Sequence, residues 1–200
     1  NPDINPKTHP YISTGLKRNK FGLSKQELAE IYRQIPRLKN VRLRGLSCHI
    51  GSQITETRPL IEAWTKLLTE AKNAPFDVTH LDLGGGLGIS YEEKESVVSL
   101  EDYGKAIRQV FKNLPYKLSI EPGRSLTGPS AVLLTSLLNV KKRGARSFFV
   151  VDAAMNDLIR PALYDAVHPF LPVRSSSAKT ITADIVGPVC ESGDTFQIDA

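Results

Sequence analysis

Two hundred residues, 40% of them hydrophobic and 24% charged, are enough for one good-sized domain or one and a half, and no apolar run is long enough to cross a membrane as a helix. The two cysteines, Cys48 and Cys190, lie far apart without a C-x-x-C, which argues against a zinc site or a disulfide scaffold and fits a reducing, cytoplasmic compartment. The net charge of +5 admits nucleic acid as a partner. Its one dense cluster, Lys141-Lys142-Arg143-Gly144-Ala145-Arg146, sits between two apolar runs and reads better as a solvated hairpin turn. The remaining positive charge is spread out, which suits anionic small molecules.

Residues 1–11 are rich in Pro, Asn and Asp and read as a loop following an earlier strand; the first residue is Asn1, so the start reads as a cut end. Residues 14–23 are short and mixed, with a strand-like end. Ser24-Lys25-Gln26-Glu27 is a capping box, and Leu28, Ile31, Tyr32 and Ile35 follow at helical spacing until Pro36. Residues 41–48 alternate and then turn apolar, as a strand does. Pro59 suits the first turn of a helix whose buried face would carry Leu60, Ile61, Trp64, Leu67, Leu68 and Ala71. Residues 78–83 predict the next strand. Ser99 predicts a helix cap, with Tyr103, Ile107, Val110, Phe111 and Leu114 on the buried side, and residues 117–121 predict the strand after that.

Strand, loop and helix thus alternate three times, which implies a parallel sheet with right-handed crossovers. The fold class is α/β. A (β/α)8 barrel of the TIM type needs roughly 250 residues, so residues 1–126 hold only part of one; a doubly wound open sheet is the alternative. Beyond Arg124 the texture changes. Residues 131–140 and 147–152 are β-rich, 156–167 suit one short helix crowded by Pro161, 174–178 form a polar loop, 179–186 suit a strand, and 196–199 begin another. Residues 127–200 therefore read as the first part of a mostly β C-terminal domain.

The chemistry collects where the first strands end. Leu81-Asp82-Leu83-Gly84-Gly85-Gly86-Leu87-Gly88-Ile89 joins an apolar run to three glycines, whose bare backbone can approach a ligand and whose N–H groups suit a phosphate; a plain Gly-rich turn has the same appearance. One strand earlier comes Cys48 and His49, and one strand later Glu121-Pro122-Gly123-Arg124. Arg124 is a fork-shaped cation for phosphate or carboxylate. Glu121 is an acid among anion-binding groups, which is unfavourable unless it faces something such as a protonated ring nitrogen. His49 is a flat ring able to stack. Taken singly, His49 could be an ordinary polar residue and Glu121–Arg124 a turn closed by a salt bridge. Together they suit a phosphorylated aromatic heterocycle, and pyridoxal phosphate is the candidate. No metal site is expected.

Cys48-His-Ile-Gly-Ser-Gln53, Gly84-Gly-Gly-Leu-Gly88 and Glu121-Pro-Gly-Arg-Ser125 resemble the signatures of the pyridoxal-phosphate decarboxylases with an alanine-racemase-like barrel. The run from Val151 to His168 and Gly187-Pro-Val-Cys-Glu-Ser-Gly-Asp194 resemble the diaminopimelate decarboxylase family in particular. The resemblance implies a lyase of lysine biosynthesis that decarboxylates meso-2,6-diaminopimelate to L-lysine and CO2 as a homodimer with shared active sites. By the same resemblance His49 stacks on the pyridoxal ring, Glu121 pairs with its nitrogen, and Ser52, Gly84, Gly85, Gly86, Pro122, Gly123 and Arg124 surround the phosphate. Arg124 also reaches a substrate carboxylate, and Arg160 and Tyr164 hold the far end of the substrate. Cys190, returning a proton to Cα, and Glu191, reading the distal ammonium, come from the partner subunit. Diaminopimelate carries two carboxylates and two ammonium groups, which calls for the mixture that Arg124, Arg160 and Glu191 supply.

The family's Schiff-base lysine is not found. Lys7, Lys17 and Lys20 stand outside its context, and the family places it upstream of Asn1. The chain therefore reads as the middle of a longer enzyme, with little turnover or independent stability expected of it alone. Two other readings stay open: a sister decarboxylase for another basic amino acid or a carboxylated polyamine, and a non-catalytic barrel homologue that binds pyridoxal phosphate.

Overall fold

The computed structural model describes residues 1–200 apart from Lys7, Pro10, Tyr11, Arg18, Glu92, Glu93, Lys94, Ser175, Ser176, Ala178 and Lys179. The expected loops at 1–11 and 174–178, and the start of the expected strand at 179–186, lie partly outside the described residues. The chain divides into two compact units, Asn1–Ser90 with Ser96–Ala131, and Tyr91–Glu95 with Val132–Ala200.

In the first unit, α1 (Lys25–Gln34) starts where the capping box places it: Ser24 Oγ accepts from the Glu27 N–H, and the Glu27 carboxylate accepts from the Ser24 N–H at 2.7 Å. A 3-10 turn, Ile35–Arg37, follows it. Only Gly45–Ser47 of the expected strand 41–48 forms β1, and Val41 is 55% exposed. Among the described residues of 14–23 no strand forms; an isolated bridge joins the preceding Ser13 to Gly51. Strand-like sequence character is a weak guide at both places, because a strand needs a partner in register.

Helix α2 (Thr57–Asn73) crosses over to β2 (His80–Gly85), and α3 (Leu100–Phe111), capped by Ser99, crosses over to β3 (Lys117–Glu121). The three strands are parallel in the order β1-β2-β3. Leu60, Ala63, Trp64, Leu67 and Ala71 of α2 meet Tyr103, Ala106 and Phe111 of α3 over Leu81 and Leu83 of β2 in one core. Trp64 is its centre, fully buried, edge-on to Tyr103 at 5.5 Å between ring centroids and donating from Nε1 to the Leu83 carbonyl at 3.0 Å. β3 is the exposed edge of this sheet.

The second unit is a four-stranded sheet, β4 (Leu137–Arg143), β5 (Arg146–Val151), β6 (Asp184–Val186) and β7 (Thr195–Gln197), in that order. β4 and β5 form the expected hairpin, but the basic cluster is not itself the turn. Lys141, Lys142 and Arg143 pair with Phe148, Ser147 and Arg146, and the turn is Gly144-Ala145, with Gly144 at φ +61°. The expected helix at 156–167 is shortened to α5 (Arg160–Tyr164). None of its residues is buried, so no packed face extends it past Tyr164, and Asp165 turns left-handed. Val151, Ala153, Ile185 and Phe196 form a small core. Among the described residues no helix is long and apolar enough to cross a membrane.

Candidate active site

Parallel pairing puts the C-terminal ends of β1, β2 and β3 at one edge of the sheet. Gly85 lies opposite Glu121, and the Cys48 N–H donates to the Asp82 carbonyl at 3.1 Å. Gly85 is so close to β3 that a Cβ there would overlap the Glu121 carbonyl oxygen. Its N–H donates to His49 Nδ1 at 3.2 Å, which orients an imidazole whose residue is otherwise exposed. A neutral ring that accepts at Nδ1 carries its proton on Nε2.

Of the three glycines expected at a phosphate, the first two have amides that donate within the chain. The Gly84 N–H donates to Asp82 Oδ1 at 2.8 Å, and the Gly85 N–H is held by His49. These glycines allow close approach of strands more than they offer donors. Gly86, at φ +96°, sits where a Cβ would overlap the Gly51 carbonyl oxygen.

The Glu121–Arg124 salt bridge, the alternative explanation of that run, is not formed. Arg124 begins the single-turn helix α4 (Arg124–Thr127), and its Nη1 donates to Gln53 Oε1 at 2.9 Å. Gln53 also bonds both the carbonyl and the N–H of Ile89, at 2.6 and 3.3 Å, and so ties the loops after β1 and β2 to Arg124. Glu121 is exposed, and its carboxylate makes no hydrogen bond or ion pair among the described residues. Ser52 is half-buried, its N–H donating to the Ile12 carbonyl at 3.1 Å; Pro122 and Gly123 are exposed. Lys17 and Lys20 lie in the segment before α1, with Lys20 Nζ 5.3 Å from the Phe21 ring centroid, and Lys7 lies outside the described residues.

The second unit carries the other expected residues. Arg160 and Tyr164 lie half-buried on α5, with Arg160 bonded to Tyr91 and His168. Cys190 and Glu191 are exposed on the loop between β6 and β7. The shape of that loop comes from Asp194, which is 2% exposed. Its carboxylate accepts from the Met155 N–H at 2.6 Å and the Val189 N–H at 2.8 Å. Asp194, His168, Gln53 and Asp82 each close or lie within a motif quoted above; Tyr91 carries no signal by spacing.

Cys48 is poised against reaction. It packs on the first unit's core, and desolvation, with Asp82 adding to it, pushes its thiol up to about 12 from an ordinary 9.0. At pH 8 such a thiol is ionised to about one part in 10⁴. In the folded protein Cys48 should therefore stay unlabelled by iodoacetamide at pH 8 and become labelled in urea, read by peptide mass spectrometry. The raised value also means that the folded state holds a proton the unfolded state has lost. Cys48's share of stability is thus complete below about pH 9 and declines as pH rises toward 12.

Residues 1–128 match the pyridoxal binding domain of the pyridoxal-dependent decarboxylases, and residues 66–200 match the C-terminal sheet domain of the same enzymes. The chain belongs to the pyridoxal-dependent decarboxylase family. Among decarboxylases of known name, it is 41% identical to a diaminopimelate decarboxylase of Aquifex aeolicus over 100% of the chain. It is 48% identical to one from Neisseria meningitidis serogroup A over 97%. Each match covers 48% of the relative, so the chain spans about half the length of the curated relatives it matches. A mutant diaminopimelate decarboxylase from Helicobacter pylori, solved with L-lysine, superposes with a TM-score of 0.92 at 41% identity, over 100% of this chain and 50% of that one. A lysine/ornithine decarboxylase of Vibrio vulnificus, 23% identical with a TM-score of 0.79 over 92% of this chain and 51% of its own, shares the fold. The decarboxylase architecture is thus part of a (β/α)8 barrel followed by part of a mostly β domain, and the doubly wound alternative falls away.

Proposed function

We propose that this chain is part of a diaminopimelate decarboxylase, a carboxy-lyase that uses pyridoxal 5'-phosphate to convert meso-2,6-diaminopimelate to L-lysine and CO2. The observation that carries the reading is Glu121: an exposed carboxylate at the end of β3, opposite Gly85, with no hydrogen bond or ion pair among the described residues. A cation three residues on, Arg124, is engaged by Gln53. That arrangement suits a ligand with a protonated ring nitrogen and an anionic arm. His49, its ring anchored by the Gly85 N–H, supplies a flat face beside it.

Pyridoxal phosphate, when bound, supplies an electron sink for the bond pair released as CO2 departs. Glu121 holds a proton at the ring nitrogen, and His49 stacks on the ring. Ser52, Gly86, Gly123 and Arg124 take the phosphate, with Gly84, Gly85 and Pro122 shaping the surrounding loops. Arg124 also takes the substrate's reacting carboxylate end. Arg160 and Tyr164 hold the distal carboxylate. Cys190 of the partner subunit gives a proton to Cα, and Glu191 of the partner subunit accepts from the distal ammonium, which makes a homodimer the working unit. We assign residues 1–126 to the barrel and 127–200 to the sheet domain. Two free thiols, Cys48 and Cys190, suit a cytoplasmic setting.

The test is CO2 release by the full-length protein with pyridoxal phosphate, on meso-diaminopimelate beside ornithine and arginine. Release from diaminopimelate alone is expected. Release from ornithine or arginine would keep the cofactor chemistry and remove the roles of Arg160 and Glu191. No release from any substrate with cofactor bound would favour the non-catalytic homologue.

A further inference from the structure

Arg160 Nη1 donates to the Tyr91 hydroxyl at 2.9 Å and to His168 Nε2 at 2.9 Å. Those two bonds use both hydrogens of Nη1. The guanidinium carbon lies 5.2 Å from the Tyr91 ring centroid, and the Tyr91 and His168 rings meet edge to face at 5.0 Å. The three side chains therefore brace one another. Tyr91 is held in turn by its N–H, which donates to the Glu95 carboxylate at 2.9 Å. His168 can accept at Nε2 only with its proton on Nδ1.

A carboxylate is taken by a guanidinium through two parallel bonds, along either the Nη1/Nη2 edge or the Nε/Nη2 edge. With Nη1 consumed, the second edge is the one left, and among the described residues neither Nε nor Nη2 of Arg160 makes a hydrogen bond. An arginine on a long flexible stem that is already fixed in this way loses less freedom when its ligand arrives.

We propose that Tyr91 and His168 are positioning residues that hold Arg160 so that its Nε/Nη2 edge takes the distal carboxylate of the substrate. This rests on the reading of Arg160 given under the proposed function. Neither residue touches the substrate in this scheme; both act through Arg160.

The test uses the full-length protein and compares Tyr91→Phe, His168→Ala, His168→Gln, Arg160→Ala and Tyr91→Phe combined with Arg160→Ala. The readouts are KM and kcat on meso-diaminopimelate, and inhibition by cadaverine, a diamine that lacks the distal carboxylate the product L-lysine retains. Tyr91→Phe keeps the ring and its packing, so it removes the acceptor with little risk to folding. Tyr91→Phe and His168→Ala are each expected to raise KM about tenfold, the effect of one hydrogen bond to a charged group, with kcat and cadaverine inhibition little changed. His168→Gln, whose amide oxygen can accept, restores most of the affinity. Tyr91→Phe adds nothing once Arg160 is alanine. If Arg160→Ala raises KM while the Tyr91 and His168 variants do not, the positioning role is overturned and the Arg160 reading stands. An equal loss of cadaverine inhibition, or a Tyr91 effect that persists undiminished without Arg160, also overturns it, since either marks a general structural role. If Arg160→Ala leaves KM unchanged, the Arg160 reading fails and the positioning role fails with it.

Discussion

Glu121→Ala should leave pyridoxal phosphate bound and slow decarboxylation by on the order of 10³-fold, a barrier rise of about 4 kcal/mol. The groups proposed to bind the phosphate and stack on the ring are unaffected: His49 keeps its bond from Gly85, and Arg124 keeps Gln53. What is lost is the one acid at the end of β3. Without it the ring nitrogen has no neighbouring charge to keep it protonated, and a neutral ring accepts electrons less readily. Asp82 does not stand in, since its carboxylate is taken by the Gly84 N–H at 2.8 Å. Cofactor absorbance and CO2 release are the two measurements. Glu121→Gln should also be slow, because an amide can accept a hydrogen bond without holding the proton. Turnover unchanged in either variant would remove the role.

Trp64→Ala carries the largest expected cost to folding, about 3–5 kcal/mol. Trp64 is fully buried between α2 and α3, against Tyr103 at 5.5 Å and Phe111 at 6.4 Å between ring centroids. Alanine leaves a cavity there and takes the indole donor from the Leu83 carbonyl. Leu83 directly precedes the glycine loop, so the same substitution should loosen the end of β2. Urea unfolding of the full-length protein tests this, with Trp64→Phe as the milder partner that retains a ring. A shift of the Trp64→Ala midpoint worth less than about 1 kcal/mol would mean the core does not depend on this residue.

The elements that could be read in advance were those with local signals. Ser24 and Glu27 specify the start of α1 by bonds within one turn. Ser99 does the same for α3, its hydroxyl accepting from the Asp102 N–H. The boundaries of β3 match those expected because Pro115 and Pro122 bracket an apolar run. Elements that depend on partners were misjudged. β1 is three residues long because only Gly45, Leu46 and Ser47 find partners in β2. Residues 14–23 have a strand-like end but, among the described residues, no ladder, and α5 stops after five residues for want of a buried face.

The residue types of the candidate site are determined by the sequence, because the chemistry of an imidazole, a carboxylate, a guanidinium and a run of glycines does not depend on where they are placed. Their order at the strand ends is determined too, since alternating strands and helices make a parallel sheet and a parallel sheet gathers its C-terminal ends on one edge. Tertiary structure alone decided the pairings. Register set Gly85 beside Glu121 and turned its N–H to His49. Packing within the second unit brought Tyr91 to Arg160, 69 residues apart in sequence. Such contacts are long-range and depend on the packing of whole elements, so neither periodicity nor local capping chemistry contains them.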